Sequence, residues 1–264
     1  MIARDRAFNV GLLIRQPAFE ARLLLERVRQ RSRTLKFAAH VTGQPPVPLG
    51  DLLNQLRWSR LETRILRLMG GEGIRPVDAG AVGKDAAHAL YLIARSLRAT
   101  RVVETGVSGG VSSAYLLQAI ADNGVPQARV HSIDLAPEDA HARFAFSRYA
   151  PGSVELALAW ERCGSGWAIP KDLKAYWALH QGDTFQVLPS LLAAVGPIDF
   201  FVHDSDHRYE CQRFEYMTAW PALRSGGVLL SHDVDASGAF VEFARSVGRP
   251  PSYLGKKTAA LVKP

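Results

Sequence analysis

Cysteine is scarce in this sequence, with only Cys163 and Cys211 among 264 residues. Two thiols are too few for a disulfide framework or for a structural zinc site built from four thiolates. No apolar run approaches the roughly 18 residues that a membrane-spanning helix needs, and the apolar stretch near the start is too short for a secretory signal. We therefore expect a protein without a membrane span that works in the reducing environment of the cytoplasm.

The composition excludes wholesale disorder, because 47% of the residues are hydrophobic and only 22% are charged. The net charge of +7 is unevenly distributed: residues 1–80 hold 14 Lys and Arg against 7 Asp and Glu, whereas residues 81–264 hold 18 of each sign. The whole positive surplus thus lies in the first third. Such a segment could bind an anionic partner such as nucleic acid, or it could be a solvated helix face or a dimer-packing arm. The absence of interleaved aromatic or Gly-Arg residues favours the second interpretation.

The front segment is helical by its hydrophobic spacing. Apolar residues recur at helical intervals over residues 17–39 and predict a basic amphipathic helix. Successive prolines in residues 42–50 predict a break, and a second helix is expected over residues 52–69, before Gly70 and Gly71. We expect a boundary near residue 78. Residues 1–78 would then be a helical extension that acts as a lid or a dimerisation arm, and residues 79–264 would form the main domain.

The main segment alternates helices and strands. Short β-branched runs predict strands over residues 101–104, 129–134, 177–181, 198–203 and 227–231, with helical patterns between them. This alternation predicts an α/β fold, a doubly wound, mostly parallel sheet of about seven strands with helices on both faces. Ligands of such folds bind at the carboxyl ends of the strands.

Acidic residues follow the predicted strands at those carboxyl ends. They are Glu104, Asp134, Asp183, Asp204 and Asp233. Each alone could be a helix N-cap or a turn residue, but together they predict a row of carboxylates along one edge of the sheet.

The first of these acids precedes a glycine-rich loop, in which Gly106, Ser108 and Gly110 lead into a helix that begins near Ser112. This loop is neither G-x-G-x-x-G nor a P-loop with its lysine, which disfavours a nicotinamide dehydrogenase. Glu104 would repel a pyrophosphate and attract an ammonium group. The pattern therefore favours a ligand with both a cation and a carboxylate, such as the methionine part of S-adenosylmethionine, with Asp134 accepting hydrogen bonds from ribose hydroxyls.

Several stretches resemble, in order, the motifs of the class I S-adenosylmethionine-dependent methyltransferases, and within them a bacterial group similar to the catechol-type and sugar O-methyltransferases. They are VVETGVSGGVSS, VHSIDL, HQGDTFQVLPSL, IDFFVHDSDHRYE and LRSGGVLLSHDV. The resemblance implies a Rossmann-like domain that binds S-adenosylmethionine. It implies that the methionine portion contacts Glu104, Gly106, Ser108, Gly110 and Ser112, the ribose contacts Asp134, and the adenine contacts Asp183 and Phe185.

The resemblance also implies a divalent-metal site at the ends of the fourth and fifth strands. Metal-dependent members of the resembled family hold Mg²⁺ there with carboxylates, and the matching positions are Asp204, His232 and Asp233. His232 departs from the family pattern, which has an Asp, and an imidazole suits Zn²⁺, Fe²⁺ or Mn²⁺ better than Mg²⁺. Both the presence and the identity of the metal stay open at this point.

His207 lies where catechol-type enzymes place a lysine base, and a neutral imidazole can accept a proton near pH 7. The alternative is an N-cap cluster with incidental histidines. We therefore expect Asp204 and His207 to serve O-methylation of a small-molecule hydroxyl, sugar or phenolic, in secondary metabolism. The alternatives are a metal-independent or N-methyltransferase that uses His207, and an RNA-modifying or nucleic-acid-binding protein. A homodimer is expected.

Overall fold

The fold is known from a computed structural model that describes residues 17–73, 82–136 and 161–264. Within these ranges the helices are α1 Pro17–Thr42, α2 Pro46–Trp58, α3 Leu61–Gly71, α4 Lys84–Ser96, α5 Val111–Asn123, α6 Thr184–Val195, α7 Tyr209–Ala222 and α8 Ala239–Ser246. A 3₁₀ helix covers Lys171–Tyr176. The strands are β1 Arg101–Thr105, β2 Arg129–Asp134, β3 Trp177–Gln181, β4 Ile198–His203, β5 Leu223–Ser231, β6 Ser252–Leu254 and β7 Thr258–Val262.

These strands form one seven-stranded sheet in the order β3-β2-β1-β4-β5-β7-β6. The neighbours from β3 to β5 run parallel, whereas β7 is antiparallel to both β5 and β6. The predicted doubly wound, mostly parallel sheet is thereby confirmed. Because β1 has β2 on one side and β4 on the other, the strand order reverses at β1, and a ligand crevice is expected at the carboxyl ends there.

The sheet is covered on both faces, as the alternation of its strand residues requires. Val103 and Phe201 belong to one buried cluster, which they share with apolar side chains of α6, α7 and α8. Their sequence neighbours Val102 and Phe200 belong to a second cluster, with side chains of α4 and α5. A continuous apolar run in β4 therefore serves two cores at once, which is typical of a parallel strand buried on both sides.

The N-terminal helices pack on the second of these cores. Phe37 of α1, Leu53 of α2 and Ile65 of α3 are buried in the same cluster as Leu90 of α4. The extension therefore shares the core of the sheet domain. Residues 74–81, which include the predicted boundary near residue 78, lie outside the described residues.

The first half of α1 lies away from that core. Every side chain from residue 22 to residue 29 is exposed, among them Leu24 at 63%, Leu25 at 56% and Val28 at 57%. Farther along the same helix, Phe37 and Val41 are buried. None of the helices in the described ranges has the length and apolar character needed to cross a membrane.

Two local predictions were wrong. The prolines of residues 42–50 do not exclude a helix, because α2 begins at Pro46 and its first turn needs no amide from Pro46 or Pro48. The single helix expected over residues 52–69 is two helices, which are separated where Arg60 adopts the left-handed conformation with φ of +54°. In addition, β5 begins at Leu223, four residues before the predicted start at Gly227.

Candidate cofactor and acceptor site

Glu104 lies at the base of the site and is fully buried near the end of β1. Its carboxylate accepts hydrogen bonds from the hydroxyls of Ser112 and Ser113, both at 2.6 Å, and from Ser132 at 2.8 Å. Burial raises the pKa of Glu104 to about 7, although the three hydroxyls oppose that rise. Ser112 was expected here, whereas Ser113 and Ser132 were not. A carboxylate so poised gains most from a cation brought near it.

Gly106 places the glycine-rich loop against the end of β4. Its φ is +84°, and a Cβ at this position would overlap the carbonyl oxygen of Asp204. The Gly106 amide donates to the carbonyl of Ile133 at 2.9 Å, and the Asp204 amide donates to the carbonyl of Thr105 at 2.9 Å. The loop is thus fixed between β2 and β4, as only glycine permits.

Gly110 ends the loop as the N-cap of α5, with φ of +85°. A Cβ there would lie 2.7 Å from Cγ1 of Ile169, so this glycine permits a close approach between the loop and the segment that precedes β3. The first amides of α5 follow directly, and such a helix start can bind an anionic group such as the carboxylate of an amino acid.

Asp134, the last residue of β2, faces the same loop. Its Oδ2 accepts hydrogen bonds from the Ser108 amide at 3.1 Å and from the Ser165 hydroxyl at 2.6 Å. Burial raises the pKa of Asp134, and these donors and the backbone amides of Val107 and Leu135 oppose that rise. Ser108 and Asp134 are brought together as expected. Ser165 was missed, because it lies in the long connection before β3, where no strand or helix pattern marks it.

Asp183 and Phe185 lie at the start of α6, beyond the end of β3. The Asp183 carboxylate caps this helix and accepts the Phe185 amide at 3.0 Å. The Phe185 ring is 40% exposed and stacks on Phe214 of α7, with 4.4 Å between the ring centroids. The Gly182 amide donates to the carbonyl of Asp134 at 2.9 Å, which keeps the two acid-bearing strand ends adjacent. Their contact with adenine stays a prediction.

Asp204, His232 and Asp233 converge at the ends of β4 and β5. Their candidate ligand atoms all lie within 4.8 Å of one another. His232 Nδ1 is 3.3 Å from Asp204 Oδ1 and 3.4 Å from Asp233 Oδ2. One imidazole nitrogen and two carboxylate oxygens this close together can bind a divalent ion of the Zn²⁺, Fe²⁺ or Mn²⁺ type.

The same cluster already contains its own positive charge. Burial alone would lower the pKa of His232, but hydrogen bonds to Asp204 and Asp233 outweigh it and raise that pKa to about 10. Lys257 Nζ donates to Asp233 Oδ1 at 2.7 Å. The hydrogen bond from His232, together with that from Lys257, holds the pKa of Asp233 well below its usual range against the effect of burial. Two carboxylates are thus balanced by an imidazolium and an ammonium.

His207 borders this cluster. Its Nε2 lies 3.3 Å from Asp233 Oδ2, while its Nδ1 is buried and has no hydrogen-bond partner among the described residues. Burial lowers the pKa of His207, and the carboxylates of Asp204 and Asp233 oppose this shift. The ring is therefore neutral near pH 7. Because Nδ1 is enclosed, Nε2 is the nitrogen that can exchange a proton with a ligand.

A buried network behind these residues was not expected from the sequence. Glu215 of α7 is fully buried and accepts hydrogen bonds from Ser205 at 2.7 Å and from Thr105, and it pairs with His203 Nδ1 at 2.6 Å. Burial would raise the pKa of Glu215, but the His203 ring lowers it overall. The available signal was the position of Glu215 four residues after Cys211, on the buried face of α7.

Comparison with known proteins assigns this arrangement to a family. The sequence profile described as a methyltransferase domain matches residues 103–234, the span that runs from β1 past Asp233. The chain belongs to this methyltransferase family. The sequence-based assignment to the class I S-adenosylmethionine-dependent methyltransferases is thereby confirmed. None of the curated protein sequences matches this methyltransferase.

Solved structures share the fold of the methyltransferase. The S-adenosylhomocysteine-bound methyltransferase PaMTH1 from Podospora anserina has a TM-score of 0.53 and 12% identity, over 80% of this chain and 95% of its own. The O-methyltransferase from Bacillus cereus, in complex with the same molecule, has a TM-score of 0.49 and 16% identity, over 78% and 91%. The O-methyltransferase TomG from Streptomyces achromogenes, in complex with S-adenosylmethionine, has 0.48 and 21%, over 77% and 89%.

Replacing Glu104 by Gln tests the raised pKa directly. With a folded-state pKa of about 7 against an ordinary value of 4.5, wild-type stability falls as the pH rises through that interval, since the unfolded chain loses its proton first. Glu104→Gln carries no such penalty. Urea unfolding at pH 5 and pH 8 should show the variant gaining about 3 kcal/mol relative to wild type between the two pH values. Glu210→Gln, at an exposed position, is the control, and an equal difference at both pH values would contradict the account.

Proposed function

We propose that the protein transfers a methyl group from S-adenosylmethionine to a hydroxyl of a small molecule, of the sugar or phenolic type. The observation that carries this proposal is the placement of the acids: the strand order puts Asp183, Asp134, Glu104, Asp204 and Asp233 along one edge of the sheet. The first three acids surround the glycine-rich loop, and the last two surround His207. A cofactor subsite and an acceptor subsite therefore adjoin at β1 and β4.

In the cofactor subsite, the loop residues and the acids at the ends of β1 and β2 have separate roles. The methionine portion lies along Gly106, Ser108, Gly110 and Ser112, where the start of α5 favours its carboxylate and Glu104 favours its ammonium. Asp134 accepts the ribose hydroxyls, and Asp183 with Phe185 borders the adenine. The free energy that burial costs the ionised Glu104 is regained when the ammonium arrives, which favours a cationic ligand over a neutral one.

The reaction is an in-line displacement at a carbon that the sulfonium already activates, so the protein must align the acceptor and remove its proton. His207 is neutral at pH 7 and accepts this proton at Nε2. The imidazolium that forms is favoured by Asp233, whose Oδ2 lies 3.3 Å away, and by Asp204. Asp204 lies between the two subsites, because it follows β4 and its backbone contacts the glycine-rich loop.

A divalent ion would be held by Asp204, His232 and Asp233, whose ligand atoms are close enough to share it. When bound, such an ion acts as a Lewis acid that lowers the pKa of an acceptor hydroxyl. Binding would require His232 to lose its proton, and Lys257 opposes it with a positive charge. That charge favours a second candidate, metal-independent transfer with His207 as the base, in which chelators leave turnover unchanged.

Lys257→Gln should strengthen divalent-metal binding. The substitution removes an ammonium 2.7 Å from a ligand carboxylate, and a charge at that distance opposes a second cation even at an effective dielectric constant of about 20. Titration calorimetry with Mn²⁺ and Zn²⁺ should show at least about tenfold tighter binding than wild type. Lys256→Gln, at the neighbouring exposed position, is the control. Unchanged or weaker binding by Lys257→Gln would count against a metal at these residues.

Binding of S-adenosylhomocysteine tests the proposed function itself. We expect the wild-type protein to bind it in titration calorimetry. Asp134→Ala should weaken that binding about ten- to a hundredfold, because hydrogen bonds to a charged group are each worth about 1.5–3 kcal/mol. Asp235→Ala removes an exposed aspartate near the same edge and should leave the affinity unchanged. If the wild type does not bind the nucleoside, the methyltransferase proposal fails.

The first half of α1 is proposed as a dimerisation arm. Leu24, Leu25 and Val28 are more than half exposed on a helical segment that packs on nothing in its own described chain, and an isolated helix of this length is marginal in water. Light scattering should give twice 28.9 kDa for wild type and 28.9 kDa for Leu24→Asp/Leu25→Asp. Val241→Asp, an exposed position on α8, is the control. A wild-type monomer that instead binds RNA with steep salt dependence would favour the nucleic-acid interpretation.

A further inference from the structure

Residues 163–170, called the strap here, lie against the glycine-rich loop. The amide of Gly166 donates to the carbonyl of Ser108, and the amide of Ala168 donates to the carbonyl of Gly109, both at 2.8 Å. The strap belongs to the long connection between β2 and β3 and to none of the sequence motifs that resemble the family. It nevertheless contacts the loop that is proposed to receive the cofactor.

The strap is firmly anchored. Ala168 is 0% exposed and Ile169 is 2% exposed, and both lie in the core that contains α5. A Cβ on Gly166 would overlap the ring of Trp177, and a Cβ on Gly109 would lie 3.1 Å from Cζ2 of Trp167. The strap backbone therefore cannot move away from the loop without disrupting this packing. Whatever it holds next to the loop is held in one place.

Ser165 is the side chain that the strap directs at the cofactor edge. It is 7% exposed, and its hydroxyl donates to Asp134 Oδ2 at 2.6 Å. The Ser108 amide donates to the same oxygen at 3.1 Å. One donor thus comes from the loop and the other from the strap, and the carboxylate is fixed between them. An aspartate side chain that is not held in this way would have to be ordered by the ligand, at a cost in affinity.

We propose that Ser165 is a positioning residue of the cofactor site, which fixes the Asp134 carboxylate in the orientation that receives the ribose hydroxyls. This inference rests on the proposed function and deepens it, because it assigns a role to a residue outside the family motifs. Ser165 acts through Asp134 and does not itself have to touch the nucleoside. Its contribution is therefore a contribution to cofactor affinity and not to the chemical step.

A double-mutant cycle with S-adenosylhomocysteine separates this role from a general structural one. Ser165→Ala should weaken binding about three- to tenfold, the value of one hydrogen bond to a charged group. In an Asp134→Asn background the same substitution should have almost no further effect, because the carboxylate that Ser165 positions is gone. The KM for S-adenosylmethionine should rise in Ser165→Ala, while kcat at saturation stays unchanged.

Two further variants complete the test. Cys163→Ala alters an exposed residue of the same strap and should bind as wild type does. Ser165→Cys keeps the size of the side chain but donates weakly, so it should resemble Ser165→Ala. Wild-type affinity in Ser165→Ala, tighter binding, or an equal loss in both Asp134 backgrounds would overturn the proposal. A wild-type protein that does not bind S-adenosylhomocysteine would instead refute the proposed function.

Discussion

The parallel pairing of β1 to β5 is the constraint on which the site depends. Because these strands share one direction and one register, their carboxyl ends meet along one edge, and residues separated by more than 100 positions become neighbours. The reversal of strand order at β1 then opens a crevice between the β1 and β4 ends. Gly106 allows the loop after β1 to lie directly on the Asp204 backbone, so the cofactor and acceptor subsites touch.

The order of the elements from β1 to β5, and the acids that follow each strand, could be predicted because both leave local marks in the sequence. Strands β2, β3 and β4 and helix α6 have the predicted bounds, since apolar runs end at polar or glycine residues there. The front was predicted less well. Pro46 and Pro48 suggested an interruption, yet they occupy the first turn of α2, where a missing amide costs nothing.

The parts that the sequence did not reveal depend on contacts between distant segments. Ser165 meets Asp134 only because the strap packs under Trp177, and Glu215 becomes functional only when α7 packs behind His203 and Thr105. The balance of charge around Asp233 likewise needs Lys257, which precedes β7 at the far end of the chain. Such pairings carry no local spacing signal, so pattern analysis could not find them.

The central claim is that one edge of the sheet holds the methyl donor beside a basic group that receives the acceptor's proton. A crystal structure of the complex with S-adenosylhomocysteine tests this claim most directly. The account predicts that the ribose lies on Asp134, that the amino acid portion lies along the loop after β1, and that the sulfur faces Asp204 and His207. A nucleoside bound at any other surface, or one whose sulfur points away from His207, would contradict it.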